Sequence, residues 1–265
     1  MENAAPEITC RACSKDVRLD AFLRAHKVCP ACGYHHVLTA RERLELLVDA
    51  GTFREFAGDL RSVNALEFPG YEEKLASERE KTGLPSEMLA GQAAISGNAV
   101  ILGITDMRFM MGSMGAVVGE KTTLCFERAL ARRLPAVIVS ASGGGARMQE
   151  GTVALMQMAK TSGAVMKHHK EGLFFVSVIT HPTMGGTAAS FVSLGDVILA
   201  EPGALIGFAG KRARAAIGED MPDRLQSAES LLEHGMLDMV VTRSRLRAVL
   251  AALLDFVNAR PPRRS

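Results

Sequence analysis

The chain has 265 residues, 48% of them hydrophobic, and a formal net charge of +2. That length suits one medium core with a small appendage, or two small domains. The near-neutral balance gives little reason to expect nucleic acid as the partner, and no stretch reaches the roughly 18 apolar residues of a membrane helix. The N-terminus lacks the charged-then-apolar pattern of a secretion signal, so a soluble cytoplasmic protein is expected. Fourteen methionines, no Trp and two Tyr point to irregular core gaps or adaptable binding surfaces.

Four of the five cysteines open the chain. Cys10 and Cys13 form one C-x-x-C knuckle, Cys29 and Cys32 a second. Two such knuckles at zinc-ribbon spacing offer a closed tetrahedral shell of thiolates, which suits one structural Zn²⁺ per chain. Residues 1–38 have too few apolar residues to fold without that staple, and metal binding on the order of 10 kcal/mol would fold them. His26, His35 and His36 lie nearby and, with four thiolates available, are expected to face solvent or to back the cysteines rather than bind the metal. Gly33 allows the tight turn. Cys125 falls in a helical run and reads as a small buried hydrophobe.

A capping box of Thr39 and Glu42 opens a helix, with Leu44, Leu46, Leu47 and Val48 on its apolar face and Gly51 at its end. Residues 39–90 then read as a helical linker region. It contains an irregular polar stretch and an exposed charged helix over Tyr71–Lys81. Short apolar strands alternate with helices from residue 91 onward, which predicts an α/β domain over 91–259. Expected strands are Ala99–Ile104, Met107–Met111, Ala136–Ser140, Leu173–Ile179, Val197–Ala200 and Leu205–Phe208. Expected helices are Glu120–Leu134, Met148–Lys170 and Gly186–Leu194. Residues 260–265 form a basic tail.

Three of these strands run into glycine. The first turn, Ser140 to Glu150, leads into a helix. There Gly144, Gly145 and Ala146 are expected to aim backbone N–H groups at one point, an oxyanion hole for a developing enolate. Arg147 beside them, Met184, Gly185 and Gly186 in the second turn, and Gly207, Phe208, Ala209 and Gly210 in the third are expected to bind substrate. Ser142 does not satisfy G-x-S-x-G, because Ser140 stands at the first Gly position. Gly119-Glu-Lys-Thr122 is no Walker loop, because Glu120 separates Gly from Lys. No carboxylate pair or Ser/His/Asp set emerges, so backbone dipoles carry the expected chemistry.

These blocks give the chain a resemblance from about Cys10 to Leu254. They are the four-cysteine ribbon, TARERLELLVD from Thr39, Gly112 to Lys121, Ser140 to Glu150, Leu155 to Ser162, Met184 to Phe191, Ala200 to Gly210 and Leu232 to Asp238. The chain resembles the beta subunits of multisubunit acetyl-CoA carboxylase carboxyltransferases. The resemblance implies a crotonase-like (ClpP/crotonase) spiral of ββα units. It also implies an alpha subunit of the same fold, an active site between the two, and an α2β2 assembly. A separate biotin carboxylase would use ATP to load CO₂ onto biotin on a carrier protein. The carboxyltransferase would pass the carboxyl group to acetyl-CoA, giving malonyl-CoA. Met166-Lys167 lacks the flanks of a biotinylation site, so the biotin comes from that separate carrier.

Two stretches depart from the family. The turn carries three glycines, Gly143 to Gly145, where Ser-Gly-Gly-Ala-Arg is usual, and Lys211 to Asp220 diverges. They keep open a specialised or inactive paralogue acting as a zinc-ribbon interaction module. A malonyl-thioester decarboxylase subunit is a third reading, which the ribbon and the Leu155 block fit less well.

Overall fold

The computed structural model describes residues 6–209 and 223–259. The first unit is small. Strands β1 (Glu7–Thr9) and β2 (Asp16–Arg18) pair antiparallel, and α1 (Leu19–Arg24) follows. Its buried apolar content is little more than Val17 and Phe22 beside Cys10 and Cys29. So small a core does not hold a fold unaided.

The predicted capping box is present at the start of α2 (Ala40–Leu47): Thr39 Oγ1 accepts from the Glu42 N–H at 3.1 Å, and Glu42 Oε2 accepts from the Thr39 N–H at 2.9 Å. The helix ends at Leu47, before Gly51. Asp49 leaves it to cap a hairpin, accepting from the N–H groups of Ser96 and Gly97 at 2.9 and 2.7 Å.

That hairpin joins β4 (Met88–Ile95) to β5 (Asn98–Thr105), which run antiparallel in full register. The short β3 (Arg54–Glu55) pairs outside β4. Beyond β5 the sheet is parallel: β6 (Ala136–Ser142), β7 (Phe175–Met184), β8 (Val197–Ala200) and β10 (Met239–Val240). A further strand, β9 (Ile206–Gly207), pairs with the far end of β7, and a short helix, α7 (Ala228–Glu233), precedes β10 in the chain. Both faces are covered. On one, α4 (Ala116–Arg132) and α5 (Gly151–Lys170) bury Phe126 and Val165 against Ile138 and Phe175. On the other, α2 and α8 (Arg243–Asn258) bury Leu47 and Leu250 against Val137 and Leu199. Two-sided burial is why β6 reads as an unbroken apolar run.

The sheet therefore extends upstream of residue 91 through β3 and β4. Helix α3 (Tyr71–Thr82) is not wholly exposed either, since Tyr71 and Leu75 pack with Leu84, Phe109 and Met110. The expected strand at Met107–Met111 is absent. Met110, Met111 and Gly112 take φ of 49°, 57° and 62°, a left-handed turn. Tertiary partners replace the ladder: the Met110 N–H donates to Glu78 Oε2 at 3.1 Å, and the Met111 carbonyl accepts from the Gly143 N–H at 2.9 Å. Helix α4 starts at Ala116 rather than Glu120, and β7 continues to Met184 rather than stopping at Ile179. The expected helix over Gly186–Leu194 is a short α6 (Gly185–Ala188) followed by a 3₁₀ turn, Phe191–Leu194.

Candidate functional site

The knuckles bring Cys10, Cys13, Cys29 and Cys32 together, with all four Sγ atoms within 4.8 Å of one another. Cys10 and Cys32 are 3.8 Å apart and Cys13 and Cys29 are 4.0 Å apart. A tetrahedron with Zn–S bonds of about 2.3 Å has edges of about 3.8 Å, so the cluster fits zinc. The Cys13 N–H, helped by that of Ala12, holds the Cys10 thiol down to about 5. Cys32 is pushed up to about 12: the Tyr34 N–H opposes the rise, but burial and the neighbouring thiols outweigh it. A dication between the four sulfurs would favour their ionisation together.

None of the three histidines belongs to the four-thiolate cluster; two of them are buried beside or beneath it and one is exposed. His36 is buried between the rings of Phe22 and Tyr34, with Nε2 3.4 Å from Cys10 Sγ. His35 is buried at the base of the ribbon, where its Nε2 accepts from the Arg243 N–H at 3.3 Å. Only His26 has an exposed side chain, and its carbonyl accepts from Arg243 Nη1 at 2.6 Å. Arg243 and Arg43 each pair in bidentate fashion with one buried carboxylate, Glu201, at 2.6–2.9 Å. Despite burial, the two guanidinium charges hold Glu201 far below the usual carboxylate range. Ribbon, α2, β8 and α8 thus meet at one point.

The second constellation lies at the C-terminal ends of β6 and β7, where an α/β sheet gathers its ligands. After Ser142 the chain crosses beneath Met114: the Met114 N–H donates to the Gly145 carbonyl and the Arg147 N–H to the Met114 carbonyl, both at 2.8 Å. No hydrogen bond among the described residues engages the N–H groups of Gly144, Gly145 or Ala146. Gly145 has φ of +61° and Gly185 φ of +62°, and the two turns stand back to back. Gly144 and Ala146 line a cavity of about 370 Å³ with Met107, Met111, Met148 and Arg108. Gly186 rests against Met158 and Met114 in the second turn. Met184 is buried and does not line that cavity.

Arg147 does not line this cleft with its guanidinium, which is fully buried. Nε donates to Ser113 Oγ at 3.0 Å, and Nη1 to Ser62 Oγ, Tyr71 Oη and Glu150 Oε1 at 2.8, 3.1 and 3.1 Å. Nη2 donates to Glu87 Oε1 at 2.6 Å and the Ser113 carbonyl at 3.2 Å. With these donors used, Arg147 supports the turn from below, which corrects its expected role as a substrate contact. Glu87, Tyr71 and Ser62 were missed from sequence because nothing local marks them. Burial pushes the Tyr71 hydroxyl up to about 12 against the pull of Arg147.

In the third turn, Gly207 pairs in β9 with Met184, and Phe208 is 71% exposed. The Ala209 carbonyl accepts from Gln226 Nε2 at 3.2 Å. Gly210 and the divergent 211–220 lie outside the described residues, as does the tail 260–265. Ser142 is buried, its Oγ accepting from Thr187 Oγ1 at 3.1 Å. Cys125 is fully buried, as expected, and burial pushes its thiol up to about 12.

The carboxyl transferase domain profile matches residues 36–255. The acetyl-coenzyme A carboxylase carboxyl transferase subunit beta of Syntrophomonas wolfei is 51% identical over 96% of this chain and 90% of its own length. A transcarboxylase 12S core solved with methylmalonyl-coenzyme A superposes with a TM-score of 0.70 at 28% identity. It is matched over 82% of this chain, which spans only 41% of that one. A Pseudomonas malonate decarboxylase hetero-dimer gives a TM-score of 0.64 at 22% identity over 85% of this chain and 90% of its own, a likeness of fold. The chain belongs to the carboxyl transferase family, with its crotonase-like α/β fold. Within that family it groups with the beta subunits of acetyl-CoA carboxylase carboxyl transferase rather than with the decarboxylases.

Proposed function

We propose that the turn at Gly144–Ala146, backed by Gly185, holds the thioester oxygen of acetyl-CoA while a carboxyl group is transferred to its α-carbon. The chain is one subunit of a carboxyltransferase. Carboxybiotin on a carrier protein supplies the carboxyl group. The α-carbon loses a proton and negative charge collects on the thioester oxygen; the N–C bond of carboxybiotin then breaks as the new C–C bond forms, giving malonyl-CoA, and the α-proton ends on the biotin nitrogen that the carboxyl group has left. Unengaged N–H groups fixed in a buried-backed turn stabilise that charge without having to reorganise. That run of three unengaged N–H groups, with Gly144 and Ala146 lining a cavity, is the observation that carries the reading. Met184 and Gly186 shape the second wall through their backbone, and Gly207 to Ala209 form the rim.

An alpha subunit of the same fold completes the site in an α2β2 assembly, which a biotin carboxylase and the carrier protein serve in the cytoplasm. Support comes from the apolar side chains left uncovered near the cleft. Met111, Met148, Leu155, Met156 and Phe208 are each at least half exposed, and such patches mark partner surfaces. No helix among the described residues is long and apolar enough to cross a membrane. Zinc held by Cys10, Cys13, Cys29 and Cys32 would fold the ribbon and take no part in the transfer, since four thiolates leave it no open position. Reconstitution with an alpha subunit tests the reading. Malonyl-CoA-dependent carboxylation of biotin should appear with both chains present and be nearly absent with either alone. Full turnover by this chain alone would refute the shared site.

A further inference from the structure

Several buried side chains play no part in the chemistry above, yet they converge on the turn that does. The cluster around Arg147 gathers residues from five segments. Ser62 comes from the loop before α3, Tyr71 from the first turn of α3, Glu87 from just before β4, Ser113 from the left-handed turn, and Glu150 from the start of α5. Glu150 extends it further: Oε1 accepts from Tyr71 Oη at 2.7 Å, and Oε2 accepts from the Ala116 N–H at the start of α4 at 2.5 Å. A Cβ on Gly115 would lie 2.8 Å from both Glu150 oxygens, so the helix start is pressed onto this carboxylate.

The cluster is costly to bury. Arg147 and Glu87 have no exposed side-chain surface, and Glu87 Oε2 has no hydrogen-bond partner among the described residues. A buried ion pair rarely stabilises a fold better than apolar residues would, so its presence asks for a specific task. The task is visible in what Arg147 touches. Its backbone is the last link of the glycine turn, and its side chain grips Ser113 at both hydroxyl and carbonyl. Ser113 is the residue against which Gly144 closes: a Cβ on Gly144 would sit 2.7 Å from Ser113 Cβ. Moving Arg147 therefore moves the two segments that set where the Gly144 and Ala146 N–H groups point.

We infer that Glu87 is a positioning residue for carboxyl transfer, acting through Arg147 to hold the Gly144–Ala146 donors where the enolate oxygen forms. This rests on the oxyanion reading of that turn. The acceptor atom matters here: Glu87 Oε1 meets Nη2 at 2.6 Å and fixes the guanidinium plane. Ser62 and Tyr71 fix the other end at Nη1. A shift of about 1 Å in such donors typically costs on the order of 100-fold in rate.

The test uses the reconstituted alpha–beta complex and two ligands. One is acetyl-CoA. The other is a carboxylate analogue of it, whose anionic oxygen stands where the enolate oxygen forms. In the unaltered complex the analogue should bind more tightly than acetyl-CoA; if it does not, the oxyanion reading falls and this inference with it. Glu87→Met keeps length and removes the acceptor. It should weaken the analogue and lower kcat by roughly 100-fold, with acetyl-CoA affinity and KM held within about 3-fold. Glu87→Gln retains an acceptor oxygen and should recover most of that loss. Should Glu87→Met not fold, Tyr71→Phe keeps the buried ring and removes one donor–acceptor link, with an expected selective loss of about 5-fold. Equal loss of both ligands in a folded variant would reduce Glu87 to a structural role and overturn the inference. So would unchanged binding of both.

Discussion

Gly185 faces Gly145 so closely that a Cβ on Gly185 would lie 2.6 Å from the Gly145 Cα. The reverse is not true: a Cβ on Gly145 would have its nearest neighbour, the Gly185 Cα, at 3.8 Å. The two positions share a left-handed φ but differ in room. Gly185→Ala should therefore push the first turn out of place and lower kcat on the order of 100-fold. Gly145→Ala should mainly carry the left-handed cost of about 1 kcal/mol. Steady-state kinetics of the two variants in the reconstituted complex would separate them, and equal effects would argue against contact between the turns as the cause.

The extra glycine is fully employed. The Gly143 N–H bonds the Met111 carbonyl, Gly144 closes on Ser113, and Gly145 supplies the carbonyl for the Met114 N–H. Deleting one of the three to restore the shorter family turn should break at least one of these links. Activity should fall rather than rise. A more active deletion variant would show that the inserted residue impairs the turn.

For the ribbon, one zinc ion per chain is expected in the purified protein. Cys29→Ser should lose it, with loss of ribbon structure and a lowered stability of the remaining chain, because Arg243 loses its bonds to His26 and His35. Metal analysis and circular dichroism report both. A folded ribbon free of metal, or unchanged zinc in the variant, would refute the four-thiolate assignment.

Glu201 neutralises two buried guanidinium groups at once. Glu201→Gln should destabilise the protein by about 3–5 kcal/mol, because it leaves that charge uncompensated. The sign with pH follows from the lowered carboxyl. Its contribution is complete above the ordinary value of 4.5 and is lost only as pH falls below it toward the folded-state value. Urea melts of the two proteins at neutral pH give the difference directly.

His168 adds a second acid response, in a milder range. It is fully buried against Phe126, and burial lowers it to about 4 from an ordinary 6.5. The unfolded chain binds a proton between those values and the folded one does not. Stability should thus decline as pH drops from 6.5 toward 4, by on the order of 3 kcal/mol across the window. His168→Phe should flatten that slope, and a persisting slope would place its source elsewhere.

Local signals carried much of this organisation. The two cysteine knuckles and the Thr39–Glu42 capping box are read correctly because their partners lie within a few residues or a repeated spacing. The strand cores at Ala136 and Val197 are legible because two-sided burial leaves an apolar run. Where the reading failed, a distant partner decided. Met107 to Met111 looks extended until Gly143 claims the Met111 carbonyl and Glu78 claims the Met110 N–H. Arg147 looks like a cleft residue because it follows three glycines, yet Ser62 and Glu87, 85 and 60 residues upstream, draw it into the interior. His35 could face solvent or back the cysteines as far as the sequence says, and Arg243, 208 residues away, settles it in the interior.

The junction of Arg43, Glu201 and Arg243 with the ribbon bears on how such proteins diversify. Beyond its two bonds to Glu201, Arg243 spends its third side-chain hydrogen bond on the His26 carbonyl and its own N–H on His35. The ribbon is thus not a detachable module. A lineage that dispensed with it would expose the Arg243 guanidinium and open the floor of the α8 start, and it would have to rebuild Arg43, Glu201 and Arg243 together. Grafting a ribbon between relatives should succeed only when that trio travels with it, so inheritance at these sites is expected in blocks, with the cysteines and the buried triad gained or lost as one.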